Sequence, residues 1–137
     1  MYDRILVPVD LAHAEKLTKA LDTAASLAKG TGATLVFAGV TGSEPSAVAH
    51  TPEEYAAKLA AFAAGEGERH GVTAEAHPIR SHDPKADLTR KLIEAAKETR
   101  ADLVVMASHV PGLKEHVFQS NAGHVASHAG VSVFVVR

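Results

Sequence analysis

Three stretches of the chain are apolar without a break: Ile5-Leu6-Val7-Pro8-Val9, residues 35 to 40 and residues 103 to 107. A strand that shows one face to water alternates apolar with polar; a strand with no polar side must be covered on both faces. The chain closes on a further run, Val131-Ser132-Val133-Phe134-Val135-Val136. Between the runs lie segments of helical period, so strand and helix alternate as β-α-β-α-β-α-β-α-β. That order dictates a parallel, doubly wound α/β sheet with right-handed crossovers. The expected strand order is 3-2-1-4-5, with helices on both faces.

The punctuation fixes provisional boundaries. Asp10 follows the first run, and Leu17, Leu21, Ala24, Ala25 and Ala28 then recur at helical spacing from about residue 13 to 29. Gly30 and Gly32 stop that helix. Residues 41 to 50 are a loop of small and polar residues. Thr51-Pro52-Glu53-Glu54 reads as a cap, a first-turn proline and a capping box. The helix it opens is expected to fade through Gly65, Gly67 and Gly71. Residues 72 to 77 alternate and Pro78 follows, which marks an edge strand. Asp83-Pro84 starts a helix that turns Leu88, Leu92, Ile93 and Ala96 inward. Ser120 and Asn121 suit the cap of a last helix, expected at roughly 121 to 129.

A chain of 137 residues is one domain, 1–137, by size. With aromatics at 4% and no Trp, the core has to be built from Ala, Val, Leu and Ile. A net charge of −2 leaves no footprint for nucleic acid or an anionic membrane. The absence of cysteine excludes disulfides and thiolate chemistry. No apolar run approaches the ~18 residues of a membrane span, and no signal-peptide core precedes the first strand. The expected location is cytoplasmic.

Chemistry is sought where open α/β sheets bind ligands, at the carboxyl ends of the strands beside a topological switch. Under the order 3-2-1-4-5 the ends of the first and fourth strands are neighbours. Asp10 there has two readings: hydrogen bonding to a base or ribose, or capping of the following helix. The loop from Ala107 to Ala122 leads into the last helix, whose amides near Asn121, Ala122 and Gly123 would face a phosphate. An ordinary capped helix start is the competing reading. Among nine histidines, His124 and His128 share a helix face, but no third ligand is in view, and solvated side chains are the default. The chain contains no G-x-x-x-x-G-K-[ST], no G-x-G-x-x-G and no G-x-S-x-G.

Residues 2–10, Tyr-Asp-Arg-Ile-Leu-Val-Pro-Val-Asp, together with Met106-Ala107-Ser108-His109, Pro111, Ser120-Asn121-Ala122 and the closing strand, resemble the universal stress protein family. The resemblance covers essentially the whole chain and is closest to small single-domain bacterial members. It implies a Rossmann-like, adenine nucleotide alpha hydrolase-like fold and a homodimer joined through residues 131 to 136. In part of the family it also implies ATP, held by G-x2-G-x9-G-[ST] or a form one residue shorter. Aligned on the shorter form, Ala107, Val110 and Gln119 stand where the three glycines would be, and Ser120 matches the Ser/Thr. Asp10 and Val40 match positions that contact adenine and ribose. The residues expected at a nucleotide are therefore Pro8, Val9, Asp10, Val40, Met106, Ala107, His109, Val110, Gln119, Ser120, Asn121 and Ala122.

Glycine in such a loop supplies positive φ and lets phosphates approach the backbone. Val110 resists positive φ, and Gln119 puts a long side chain where phosphates would lie. Two functions remain open at this stage. One is a stress-linked regulatory module that binds ATP or another adenine nucleotide, with no metal beyond the Mg that accompanies ATP. The other is a non-nucleotide member that acts through its dimer surface on an unknown protein partner. Slow ATP hydrolysis or self-phosphorylation on Ser120 is a third reading. No general base with a defined partner is legible, so no catalytic residue is assigned.

Overall fold

The computed structural model describes residues 1–108 and 115–137, with residues 85 and 115–121 described by their backbone alone. Five parallel strands form one sheet in the order β3-β2-β1-β4-β5. They are β1 (Arg4–Pro8), β2 (Thr34–Thr41), β3 (Ala74–Arg80), β4 (Leu103–Ala107) and β5 (Ser132–Val136). The helices are α1 (Thr18–Thr31), α2 (Pro52–His70), α3 (Pro84–Glu98) and α4 (Glu115–His128); a short 3-10 helix, Leu11–Leu17, precedes α1. The expected order and winding are those observed.

Period-2 alternation divides the central strands between two cores. Ile5, Val7, Leu35, Phe37, Leu103 and Val105 pack under α1 and α2. Leu6, Val36, Ala38, Val104 and Met106 pack under α3 and α4. The α1 face is nearly all alanine, with Ala20, Ala24, Ala25 and Ala28 buried beside Leu21. Small residues let that helix lie close to the sheet, which is how a core with few aromatics reaches full density.

Several boundaries differ from expectation, each for a local reason. The 3-10 helix starts directly after Asp10, whose side chain caps it, so the first helical segment begins earlier than residue 13. Thr51 caps α2 by accepting from the Glu54 amide, and Glu54 Oε2 in turn accepts from the amide of His50 rather than that of Thr51. α2 does not fade at Gly65 or Gly67; it runs to His70 and ends at left-handed Gly71. A Cβ on Gly67 would lie 2.9 Å from the Val72 carbonyl oxygen, so that glycine permits the close return of the chain into β3. β3 starts later than expected and includes Pro78, paired opposite Gly39. A proline is compatible with the ladder because β3 is an edge strand.

The largest difference is in α4. It starts at Glu115, so Gln119 to Gly123 lie inside the helix instead of at its first turn. Ser120 and Asn121 have cap chemistry, but residues 115 to 119 are themselves compatible with helix and carry it upstream.

Candidate functional site

The doubled-back order makes β1 and β4 neighbours, while their following connections depart to opposite faces. At their carboxyl ends, Val9 donates its amide to the Ala38 carbonyl at 2.8 Å, and Ser108 donates its amide to Val136 at 2.8 Å. These bonds extend the ladder one step past β1 and β4 and fix the rim of the crevice.

Six of the twelve expected site residues lie on or beside this rim. Pro8, Asp10 and Val40 are half-buried, and Val9 is buried. Met106 and Ala107 are buried on opposite faces of β4. Ala122 is also buried, but it packs into the core under α4, and its Cβ is not at the rim. The structure describes only the backbone of Gln119, Ser120 and Asn121, as part of α4. His109 and Val110 lie outside the described residues.

One expectation about the phosphate end is corrected. Amides of Asn121, Ala122 and Gly123 were expected free at a helix start; within α4 they fall where a regular helix engages each N–H with the carbonyl four residues back. Ala107, at the place of the first motif glycine, takes ordinary strand backbone. Among the described residues Arg100 alone, at φ 56°, has positive φ without being glycine. Ala107 pairs with Val136, and its Cβ is accommodated in the core.

Asp10 adopts the capping reading. Its Oδ1 accepts from the Ala12 amide at 3.0 Å, and its Oδ2 lies 3.0 Å from His13 Nδ1. The Asp10 carbonyl accepts from the His13 amide at 3.0 Å. His13 breaks the helical backbone with φ −132° and ψ 30°, and this turns its ring back onto Asp10.

Tyr55 completes the wall from the α1–α2 side. Its ring is buried against Gly39, where a Cβ would sit 3.0 Å from Cζ and closer still to the hydroxyl oxygen. Burial, reinforced by the negative charge of Asp10, pushes the Tyr55 phenol up to about 12. The hydroxyl therefore stays protonated at neutral pH.

Sequence reasoning did not single out Tyr55, Gly39 or His13. Only His13 carried a signal. Asp10-x-x-His13 has the spacing of a capping box, with imidazole in the place of the usual Glu or Gln. Elsewhere, His124 and His128 stack at 4.1 Å, and His128 Nδ1 lies 3.0 Å from the His124 carbonyl. Among the described residues, no three His, Asp or Glu side chains converge on a point that could hold a metal ion. None of the described helices is long and apolar enough to cross a membrane.

The whole chain, residues 1–137, matches the universal stress protein family. Universal stress protein G of Shigella flexneri is 30% identical over 146 aligned positions, covering 100% of both chains. A universal stress protein solved in complex with cAMP superposes with a TM-score of 0.72 at 21% identity, covering 99% of this chain and 97% of that one. A family member from Burkholderia pseudomallei gives 0.71 at 25% identity, covering 98% and 96%. One from Archaeoglobus fulgidus in complex with dAMP gives 0.68 at 20% identity, covering 99% and 98%.

Proposed function

The chain belongs to the universal stress protein family, and from that premise we propose that it is a stress-response regulatory module holding an adenine nucleotide at the carboxyl ends of β1, β2 and β4. The observation that carries this reading is the switch point between β1 and β4, with Asp10, Val40 and Ala107 at the adjacent strand ends. Solved relatives of the same fold in complex with cAMP and dAMP support it. In this reading the base and ribose lie by Pro8, Val9, Asp10, Val40 and Met106. The phosphates run from Ala107, His109 and Val110 toward Gln119, Ser120 and Asn121. The chain works in the cytoplasm.

Because residues 119 to 123 are interior to α4, main-chain contact with phosphate there requires the helix to begin later. Gln119→Gly favours that state twice: it removes the long side chain, and it weakens the helix by about 1 kcal/mol. Calorimetry with ATP on wild type and on this variant is the test, and roughly tenfold tighter binding by the variant is expected. Tight wild-type binding that Gln119→Gly weakens would make the side chain itself a ligand. Absence of binding by both proteins at millimolar ATP would end the nucleotide reading.

The surface of β5 favours a second activity, self-association. β5 is an edge strand, bonded only to β4 in the sheet, and it exposes Phe134 at 45% and Val135 at 36%. Phe134 also lines a shallow hollow on α1 with Thr23, Ser26 and Leu27. Exposed apolar edges are normally covered or paired, and antiparallel pairing with a second copy across a two-fold axis would cover this one. Light scattering should give a dimer mass for wild type. Phe134→Glu should weaken association by about 2 kcal/mol, the scale of one buried aromatic side chain. A wild-type monomer mass at every concentration would refute the dimer. If no nucleotide binds, the dimer surface becomes the functional surface, and the chain is a protein-interaction module.

A further inference from the structure

The Asp10 carboxylate is already committed within the protein. One oxygen takes the Ala12 amide and the other faces His13 Nδ1, each at 3.0 Å. A carboxylate can only accept, so the hydrogen of this contact belongs to Nδ1, and in the neutral imidazole the lone pair is left at Nε2. Among the described residues no hydrogen bond is made to that nitrogen. The ring is held on two sides. Its own amide bonds the Asp10 carbonyl, and its non-helical backbone turns it back toward the strand end. About a third of each side chain remains open to solvent, 32% for His13 and 30% for Asp10. The pair is thus a fixed, accessible acceptor beside the end of β1.

We infer that His13 reads the base: its Nε2 accepts a hydrogen bond from the exocyclic 6-amino group of an aminopurine nucleotide, and Asp10 positions the ring for that contact. The inference rests on the nucleotide reading above and deepens it. A 6-oxopurine offers a carbonyl at the same place, which sets a lone pair against a lone pair. The site then discriminates by leaving a partly buried acceptor unpaired with the wrong base. In this contact Asp10 acts through His13, as the second partner that holds metal-ligating and catalytic imidazoles in one tautomer does.

Two substitutions separate recognition from structure. His13→Asn keeps an amide donor within reach of Asp10 and removes the acceptor at the Nε2 position. His13→Gln can place its amide oxygen near that position. Calorimetry with ATP, ITP and 2′-deoxy-ATP on the three full-length proteins is the experiment, with thermal melting of each as the check on folding. Wild type should prefer ATP over ITP by roughly tenfold, the worth of one hydrogen bond to a partly buried group. His13→Asn should melt near wild type and bring the ratio to within about twofold, and His13→Gln should restore part of it. An unchanged ATP-to-ITP ratio in a folded His13→Asn protein overturns the inference and leaves the nucleotide site standing. So does a variant that loses its preference for ATP over 2′-deoxy-ATP instead, because His13 would then read the ribose. Failure of wild type to bind any of the three nucleotides overturns the nucleotide reading and this inference with it.

Discussion

Phe37→Ala should lower the free energy of unfolding by roughly 3–5 kcal/mol, the range for removing a buried aromatic ring from a packed core. Phe37 is 1% exposed in the centre of β2, and its ring meets Phe62 edge-on at 5.3 Å and 82°. The surrounding side chains are short or branched aliphatics on a fixed sheet, so little collapse is available and a cavity term adds to the lost transfer energy. Urea denaturation should show an earlier midpoint with an unchanged slope. A loss under about 1 kcal/mol would mean that the core relaxes around the deletion. Phe62→Ala should cost less, because Phe62 lies at the partly buried margin of the same cluster.

Gly39→Ala should cost about 3 kcal/mol for the addition of one methyl group, at the upper end of overpacking penalties. The new Cβ would collide with the Tyr55 hydroxyl and stand 3.0 Å from Cζ and 3.3 Å from Cε1. The ring cannot swing clear without opening α2, and β2 is pinned by β1 on one side and β3 on the other. Thermal melting should fall by about 10 °C for a domain of this size. Tyr55→Phe removes the worst contact and keeps the other two, so it should recover about half of the loss in the double variant. A coupling energy near zero in that cycle would show that the strand, and not the ring, gives way. The damage should also reach the proposed ligand site, because Gly39 adjoins Val40 and Tyr55 feels the charge of Asp10.

Much of this architecture is legible in the sequence, because period and composition encode it redundantly. Ile5 to Val9 and Leu103 to Ala107 have no polar side, so they must be central strands. Pro78 allows only an edge position, and the structure places it there. The start of α4 was harder to place, since Ser120 and Asn121 carry cap chemistry yet sit inside the helix. Cap preference is worth about 1 kcal/mol and is overridden when the residues upstream extend a helix. At the candidate site, Asp10 was identified but its partners were not. Tyr55 and Gly39 come together across a crossover, and their match is one of shape, which single-sequence periodicity does not encode. The bond to His13 is local and carried a readable i, i+3 spacing, with a residue type unusual for that position.

The central place of β1 has a consequence during synthesis. A chain emerging N-terminus first can pair β1 with β2, and β2 with β3, early, since these follow in order. The other flank of β1 receives Leu103 and Val104 only after nearly a hundred further residues have been made. The Asp102 carboxylate, which accepts the amides of Asp3 and Arg4, arrives equally late. At translation speeds of about 5–20 residues per second, the half-sheet waits several seconds with one open apolar seam. During that interval Ile5, Leu6 and Val7 offer a bare strand edge to any other nascent chain or to a chaperone. The strand that carries the proposed ligand site therefore keeps an open edge until β4 docks.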